Sequence, residues 1–326
     1  MPKLSADALR AGLVLGLLLS ANACSSNPQN QPDAGDSGAV LGNGQVGTIT
    51  SAAQGGDVSS PFDATPSSDA TSVYFTAISL SQGPGVFSVT ANGGTPAIVF
   101  AGDPFVSPFG IAITDDGKTL YVADVGAEGA TDTGRIWVLS TSGGAPTALA
   151  GADGYKAKSL EIVNGQIYFT GSDPTGNVGA FTIPLAGGTP TALATGAPMV
   201  DPSGITADKN GNVYVVDAIG DSNHAQVVEI KAGVASVLLP GIGCGYPAGI
   251  ALVQDESAIL ISGIDPGPGT DVVYRLELAS QELTTVSKGI DTFNESAGLH
   301  RAHGQDVYAW ADSRANGGGT VFLLSK

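Results

Sequence analysis

Thirty acidic residues, thirteen basic residues and three histidines make carboxylates the chief chemical groups of this chain, whose formal net charge is −17. Asp63, Glu161, Glu295 and His300 together offer three carboxylates and an imidazole, a set able to support cation-dependent hydrolysis if brought to one place. A second group of acids follows short apolar runs: Asp124, Glu128, Asp132, Asp173, Asp217, Asp221, Asp265 and Asp312. Asp103, Asp153, Asp201 and Asp291 precede the next runs. Gathered on one face, such loops bind a divalent cation, calcium being the one ion expected, or a basic partner. The same spacing also arises when Asp merely ends a strand because it suits turns. Trp310, in "VYAWAD", differs from its counterparts elsewhere and is the aromatic marked as a ligand contact. Asp124, Asp217, Asp221, Trp310 and Asp312 form the expected ligand-binding set. His300 and His303 stand three apart, which on a strand turns them to opposite sides and argues against a zinc pair. Cys244 has no evident orienting group to activate it.

These residues sit in a repeat. "PFGIAITDDGKTLYVAD" (Pro108 to Asp124) reads as a hairpin with its turn at Asp116-Gly117, and "PSGITADKNGNVYVVD" (Pro202 to Asp217) repeats it with Asn210-Gly211. The second run of each unit is marked by Tyr74, Tyr121, Tyr168, Tyr214, Leu260 and Tyr308, at intervals of 46 to 48 residues. Each unit holds four strand candidates, and no stretch keeps a 3.6-residue apolar period, so the chain is all-β. Six such units predict a six-bladed β-propeller with four antiparallel strands per blade. The sixth unit ends after three strands, whereas a spare strand, Gln45 to Gly56, precedes the first. That N-terminal strand is expected to complete the last blade and close the ring.

The two hairpins resemble NHL repeats, and the whole resembles an NHL-type, TolB-like propeller over residues 45–326. Such repeats imply architecture, not activity. The regucalcin/gluconolactonase family is also six-bladed and similar at its strand starts, where Asn and Asp of "PNG" or "PDG", with a Glu, hold a catalytic cation. The matching tripeptides here are Pro108-Phe109-Gly110, Pro202-Ser203-Gly204 and Pro247-Ala248-Gly249, with Lys158 and Ala297 in two other blades. Phe and Ala cannot ligate a hard cation, so that family's site is absent and Asp63, Glu161, Glu295 and His300 stand as a different set.

Residues 1–23 read as a signal peptide: Lys3 and Arg10 precede an apolar stretch, Ala11 to Ser20, too short to span a bilayer. "LLLSANAC" resembles the lipobox of bacterial lipoproteins, which implies lipidation of Cys24, although Ala21-Asn22-Ala23 suits ordinary signal peptidase equally. Residues 24–44 then read as a lipidated cysteine and a flexible tether rich in Ser, Pro and Gly. The reading is therefore an exported, membrane-anchored monomer of the cell envelope, on the periplasmic or cell-surface side. It would act as a binding or scaffold module toward a protein or glycan, with no cofactor. The alternative is a cation-dependent hydrolase or lactonase. A net charge of −17 opposes nucleic-acid binding and adhesion to anionic lipid.

Overall fold

The computed structural model describes residues 39–40, 46–126, 134–219, 224–265, 270–290 and 296–325. Two strands open the chain, β1 (Ala39–Val40) and β2 (Val46–Gln54). Blade 1 is β3 (Val58–Pro66), β4 (Ser72–Ser79), β5 (Gly83–Thr90) and β6 (Ala97–Ala101). Blade 2 is β7 (Pro108–Ile113), β8 (Thr119–Asp124), β9 (Arg135–Ser140) and β10 (Thr147–Ala148). Blade 3 is β11 (Leu160–Val163), β12 (Gln166–Ser172), β13 (Val178–Pro184) and β14 (Thr191–Thr195). Blade 4 is β15 (Asp201–Ala207), β16 (Val213–Ala218), β17 (His224–Lys231) and β18 (Val234–Gly243). Blade 5 is β19 (Gly249–Leu252), β20 (Ala258–Asp265), β21 (Thr270–Glu277) and β22 (Leu283–Ile290). Blade 6 takes β23 (Ser296–Arg301), β24 (Tyr308–Asp312) and β25 (Thr320–Ser325) from the C-terminal end.

The fold is all-β: six antiparallel sheets, with β2 hydrogen-bonded along β25 to complete blade 6 and β1 added outside it. Closure by the N-terminal strand is thus as the sequence predicts. The expected tether over residues 24–44 contains one addition, because Ala39 and Val40 pair with Gly47 and Val46. Among the described residues the only helical turn is a 3-10 turn at Ala315–Gly317, and no helix is long and apolar enough to cross a membrane. Residues 1–38, including the signal-peptide reading and Cys24, lie outside the described residues.

Register explains the repeat. In every blade one residue of the second strand faces one of the third inside the blade: Phe75–Phe87, Val122–Trp137, Phe169–Phe181, Val215–Val228, Ile261–Tyr274 and Trp310–Phe322. All twelve are buried, and the rings of Phe75–Phe87, Phe169–Phe181 and Trp310–Phe322 stack at 5.3–5.6 Å. Trp310 is therefore core, fully enclosed, and not a ligand contact: it fills the place held by Phe75 and Phe169 elsewhere. The spacing in blade 6 is one residue longer than the tyrosine marker suggests. Ala309, not Tyr308, pairs with the first strand as Tyr74, Tyr121, Tyr168, Tyr214 and Leu260 do. Each marker residue packs toward the following blade, as Tyr121 does by donating its phenol to Leu185 O at 2.9 Å.

Candidate functional site

The six first strands surround the axis, and their opening residues set what the axis contains. Gly110, Gly204, Gly249 and Gly298 occupy one level of this wall. A Cβ at Gly298 would collide with the carboxylate of Asp63, and one at Gly249 with the backbone of Leu299, so the strands approach too closely for side chains. Blade 1 departs from this pattern by placing Asp63 at that level. The carboxylate is 1 % exposed and accepts the N–H groups of Ala64 (2.8 Å) and Ile111 (2.9 Å).

Opposite Asp63 stands His300 of blade 6, whose Nε2 lies 2.9 Å from Asp63 Oδ2 and whose Nδ1 lies 3.8 Å from Glu161 Oε2. Blades 3 and 6 face each other across a ring of six, so the imidazole spans the axis. Burial alone would push His300 down, but the two carboxylates outweigh it and raise its pKa to about 10. Burial would raise Glu161; the attraction of His300, 3.8 Å away, reverses this and leaves it lowered. The cluster is an imidazole, favoured in its protonated form, set between two carboxylates. A protonated imidazole has no lone pair for a metal, and among the described residues no group of three or more His, Cys, Asp or Glu side chains is arranged to hold one. Three members of the alternative set thus converge, while Glu295 lies outside the described residues.

Above the cluster the mouth is covered. Lys158 pairs with Asp201 and lies 5.3 Å over the ring of Tyr246. Tyr246 meets Phe109 edge-on at 6.1 Å, and Phe109 meets Phe62 at 5.2 Å. Burial lowers Lys158, but Tyr246 and Asp201 more than compensate and keep it charged. Below, His303 crosses from blade 6 to blade 2, with Nδ1 2.7 Å from Asp115 Oδ1 and Nε2 2.8 Å from Ile113 O. The two histidines have separate partners and form no metal pair.

The loop carboxylates read as ligand-binding are largely occupied by their own chain. Asp124 is 1 % exposed and accepts the N–H groups of Val106 (2.9 Å), Ser107 (2.8 Å) and Gly126 (2.9 Å) and the indole of Trp137 (3.2 Å). Asp217 repeats the arrangement with Val200, Asp201 and the Gln226 amide at 2.8–2.9 Å. Asp312 accepts Arg314 N and Ala315 N at 2.7 and 2.6 Å. All three are buried, so Asp124, Asp217 and Asp312 are structural clamps and not solvent-facing ligands. Asp173 is tied to Asn177 and Thr175, which hold its pKa at about 2. Asp153 faces Arg135 at 3.8 Å. Asp221 lies outside the described residues.

The clamps follow a rule of alternate blades. Blades 2, 4 and 6 carry Ala123-Asp124, Val216-Asp217 and Ala311-Asp312; blades 1, 3 and 5 carry Thr76-Ala77, Thr170-Gly171 and Ser262-Gly263 at the same register. The odd-blade hydroxyls donate into the next blade: Thr76 to Phe109 O (2.7 Å), Thr170 to Ser203 O and Ser262 to Ala297 O (2.5 Å). The sequence contained this signal in "YVAD", "YVVD" and "AWAD" set against "YFTA", "YFTG" and "LISG". Among the described residues, Leu80, Val106 and Val200 are exposed apolar side chains in the loops of this face; Val106 and Val200 are the tips that Asp124 and Asp217 hold.

The chain matches no protein-family model and no curated protein sequence. Solved structures do resemble it. A chain of a nidogen/laminin complex is 21 % identical, with a TM-score of 0.56 over 76 % of this chain and 86 % of that one. An auxiliary nutrient binding protein from Bacteroides thetaiotaomicron is 10 % identical, with a TM-score of 0.58 over 90 % of this chain and 75 % of that one. TolB from Acinetobacter baumannii is 12 % identical, with a TM-score of 0.54 over 71 % of this chain but only 55 % of its own length. At these identities the likeness establishes a shared six-bladed β-propeller fold.

Proposed function

We propose that the protein is an exported, lipid-anchored binding or scaffold module of the cell envelope that meets a protein or glycan on the loop face of its propeller. The observation that carries this reading is the division of labour among the carboxylates. Those best placed to ligate a cation are spent on backbone N–H groups, and the apolar tips they hold, Val106 and Val200, are turned outward. A rigid face with exposed apolar tips and an acidic surround favours a partner that is apolar and basic. The propeller fold, found also in a chain of a nidogen/laminin complex and in a nutrient binding protein, supports a binding role.

The experiment is photocrosslinking in the native host, with the reactive residue at Val106, at Val200 or, as control, at Val234 in the hairpin of the opposite face. Adducts from Val106 and Val200 alone are expected; adducts from Val234 alone, or equally from all three, contradict the proposal. Release of the Cys24→Ser variant from the membrane fraction tests the anchor.

Convergence of Asp63, Glu161 and His300 favours a second reading, a cation-dependent hydrolase or lactonase. Against it stand the cationic imidazole and the covered mouth. Calcium-dependent turnover of a lactone or phosphoester would support it.

A further inference from the structure

The ring is closed non-covalently at blade 6: β2, which leads directly into blade 1, pairs with β25, and the C-terminal strands β23 to β25 pack against blade 1. The apolar packing of this seam is thin. Five of the eleven buried residues in the cluster across this seam are alanines: Ala52, Ala53, Ala64, Ala77 and Ala309. The cluster between blades 4 and 5 has only Ala225 and Ala248 among fourteen, with Ile, Leu and Val making up most of the rest. Ala309 stands where the other blades send Tyr or Leu into their neighbour, so the aromatic is missing at the joint that most needs it. A groove of about 340 Å³ lies here, between Thr50, Ser51 and Leu323 on one side and Ala70, Ala91 and Asn92 on the other.

Polar bonds take up part of the task. Ser60 N donates to Gly318 O at 2.7 Å and the Gln305 amide to Ser68 O at 2.7 Å. At the inner edge of the same joint, His300 meets Asp63 across 237 positions of sequence, and Asp63 is anchored in turn on Ile111 N of blade 2. We propose that His300 is the latch of the ring: its charged bridge to Asp63 and Glu161 holds the seam shut, and release of β2 follows the charge on that imidazole. The ionisable groups facing it are Asp63 on β3 and Glu161 on β11, with Arg301 and His303 from its own hairpin acting on Glu161. At the same level the first strands of blades 1, 2, 4 and 5 present Thr65, Ala112, Thr206 and Ala251, none of which titrates.

The test is limited proteolysis of the full-length protein at pH 7 with a broad-specificity protease, with cleavage mapped by mass spectrometry. In His300→Gln, cleavage in or beside β2 should rise about tenfold or more while β15 to β17 of blade 4 keep their protection, the mark of local opening. Unchanged β2 cleavage, or equal loss in every blade, overturns the latch. Should that variant fail to fold, the wild-type protein supplies the readout: between pH 7 and pH 10.5 the β2 cleavage should rise selectively relative to blade 4. A flat or uniform response overturns the proposal.

Discussion

Two groups of carboxylates stand within one fold and have opposite fates. Asp124 and Asp217 at the loop face are enclosed by N–H donors of their own blade and loop, so their oxygens are taken up locally. Asp63 and Glu161 at the axis share a cation delivered by a distant part of the chain. The first arrangement shapes a surface; the second joins blades. The contrast teaches that an acid in a propeller is defined by its donors, and that an Asp ending a strand is a poor guide to where ligands bind.

The largest effect should come from the axis. Asp63→Ala leaves the buried His300 with Glu161 as its one remaining carboxylate neighbour and should cost about 3–5 kcal/mol in urea unfolding. A loss below about 1 kcal/mol would mean that water replaces the missing partner and that the axis is no different from the loops. Next come the clamps. Asp124→Ala strands the N–H groups of Val106, Ser107 and Gly126 and should cost about 2–3 kcal/mol, with Asp217→Ala similar. If either substitution is neutral in stability, those acids return to the list of ligand candidates.

The odd-blade hydroxyls should matter less. Thr76→Val replaces a neutral hydrogen bond with a methyl group and should cost about 1 kcal/mol by the same measurement. The pH profile sharpens the contrast further. His300 is raised from 6.5 to about 10, so its stabilisation is fully present below pH 6.5 and is lost as pH rises through 10. Glu161 is lowered from 4.5, so its contribution is present above pH 4.5 and is lost as pH falls. Stability from the axis should therefore be greatest between pH 4.5 and 6.5 and decline toward pH 10, and His300→Gln should flatten the alkaline limb. An alkaline limb that persists in the variant would assign it to other groups.

Much of the architecture was legible because a propeller repeats its hydrogen-bonding register. The 46–48-residue period, the hairpin turns and the orphan N-terminal strand each follow from local chemistry. The slip in blade 6 was hidden because Tyr308, one position early, is as aromatic as the marker it resembles; only pairing of Ala309 with His300 reveals it. Trp310 looked exceptional for the same reason and proves to be the blade's core ring. The axial members Asp63, Glu161 and His300 were visible as residue types facing a channel, but their contact depends on three strands meeting from blades 1, 3 and 6. The burial of Asp124, Asp217 and Asp312 was illegible one unit at a time, since a strand-ending Asp reads alike whether it faces solvent or a backbone amide. The alternation of blades was present in the letters, though only a comparison of every second unit exposes it.

The account rests on the claim that these carboxylates are satisfied from within. Thermal unfolding of the full-length protein with calcium and with excess chelator tests it most directly, because a cation bound only by the native state must raise the melting temperature. The account predicts superimposable curves. A clear calcium-dependent rise, reversed by chelator, would contradict it and place a metal where the structure now puts hydrogen bonds.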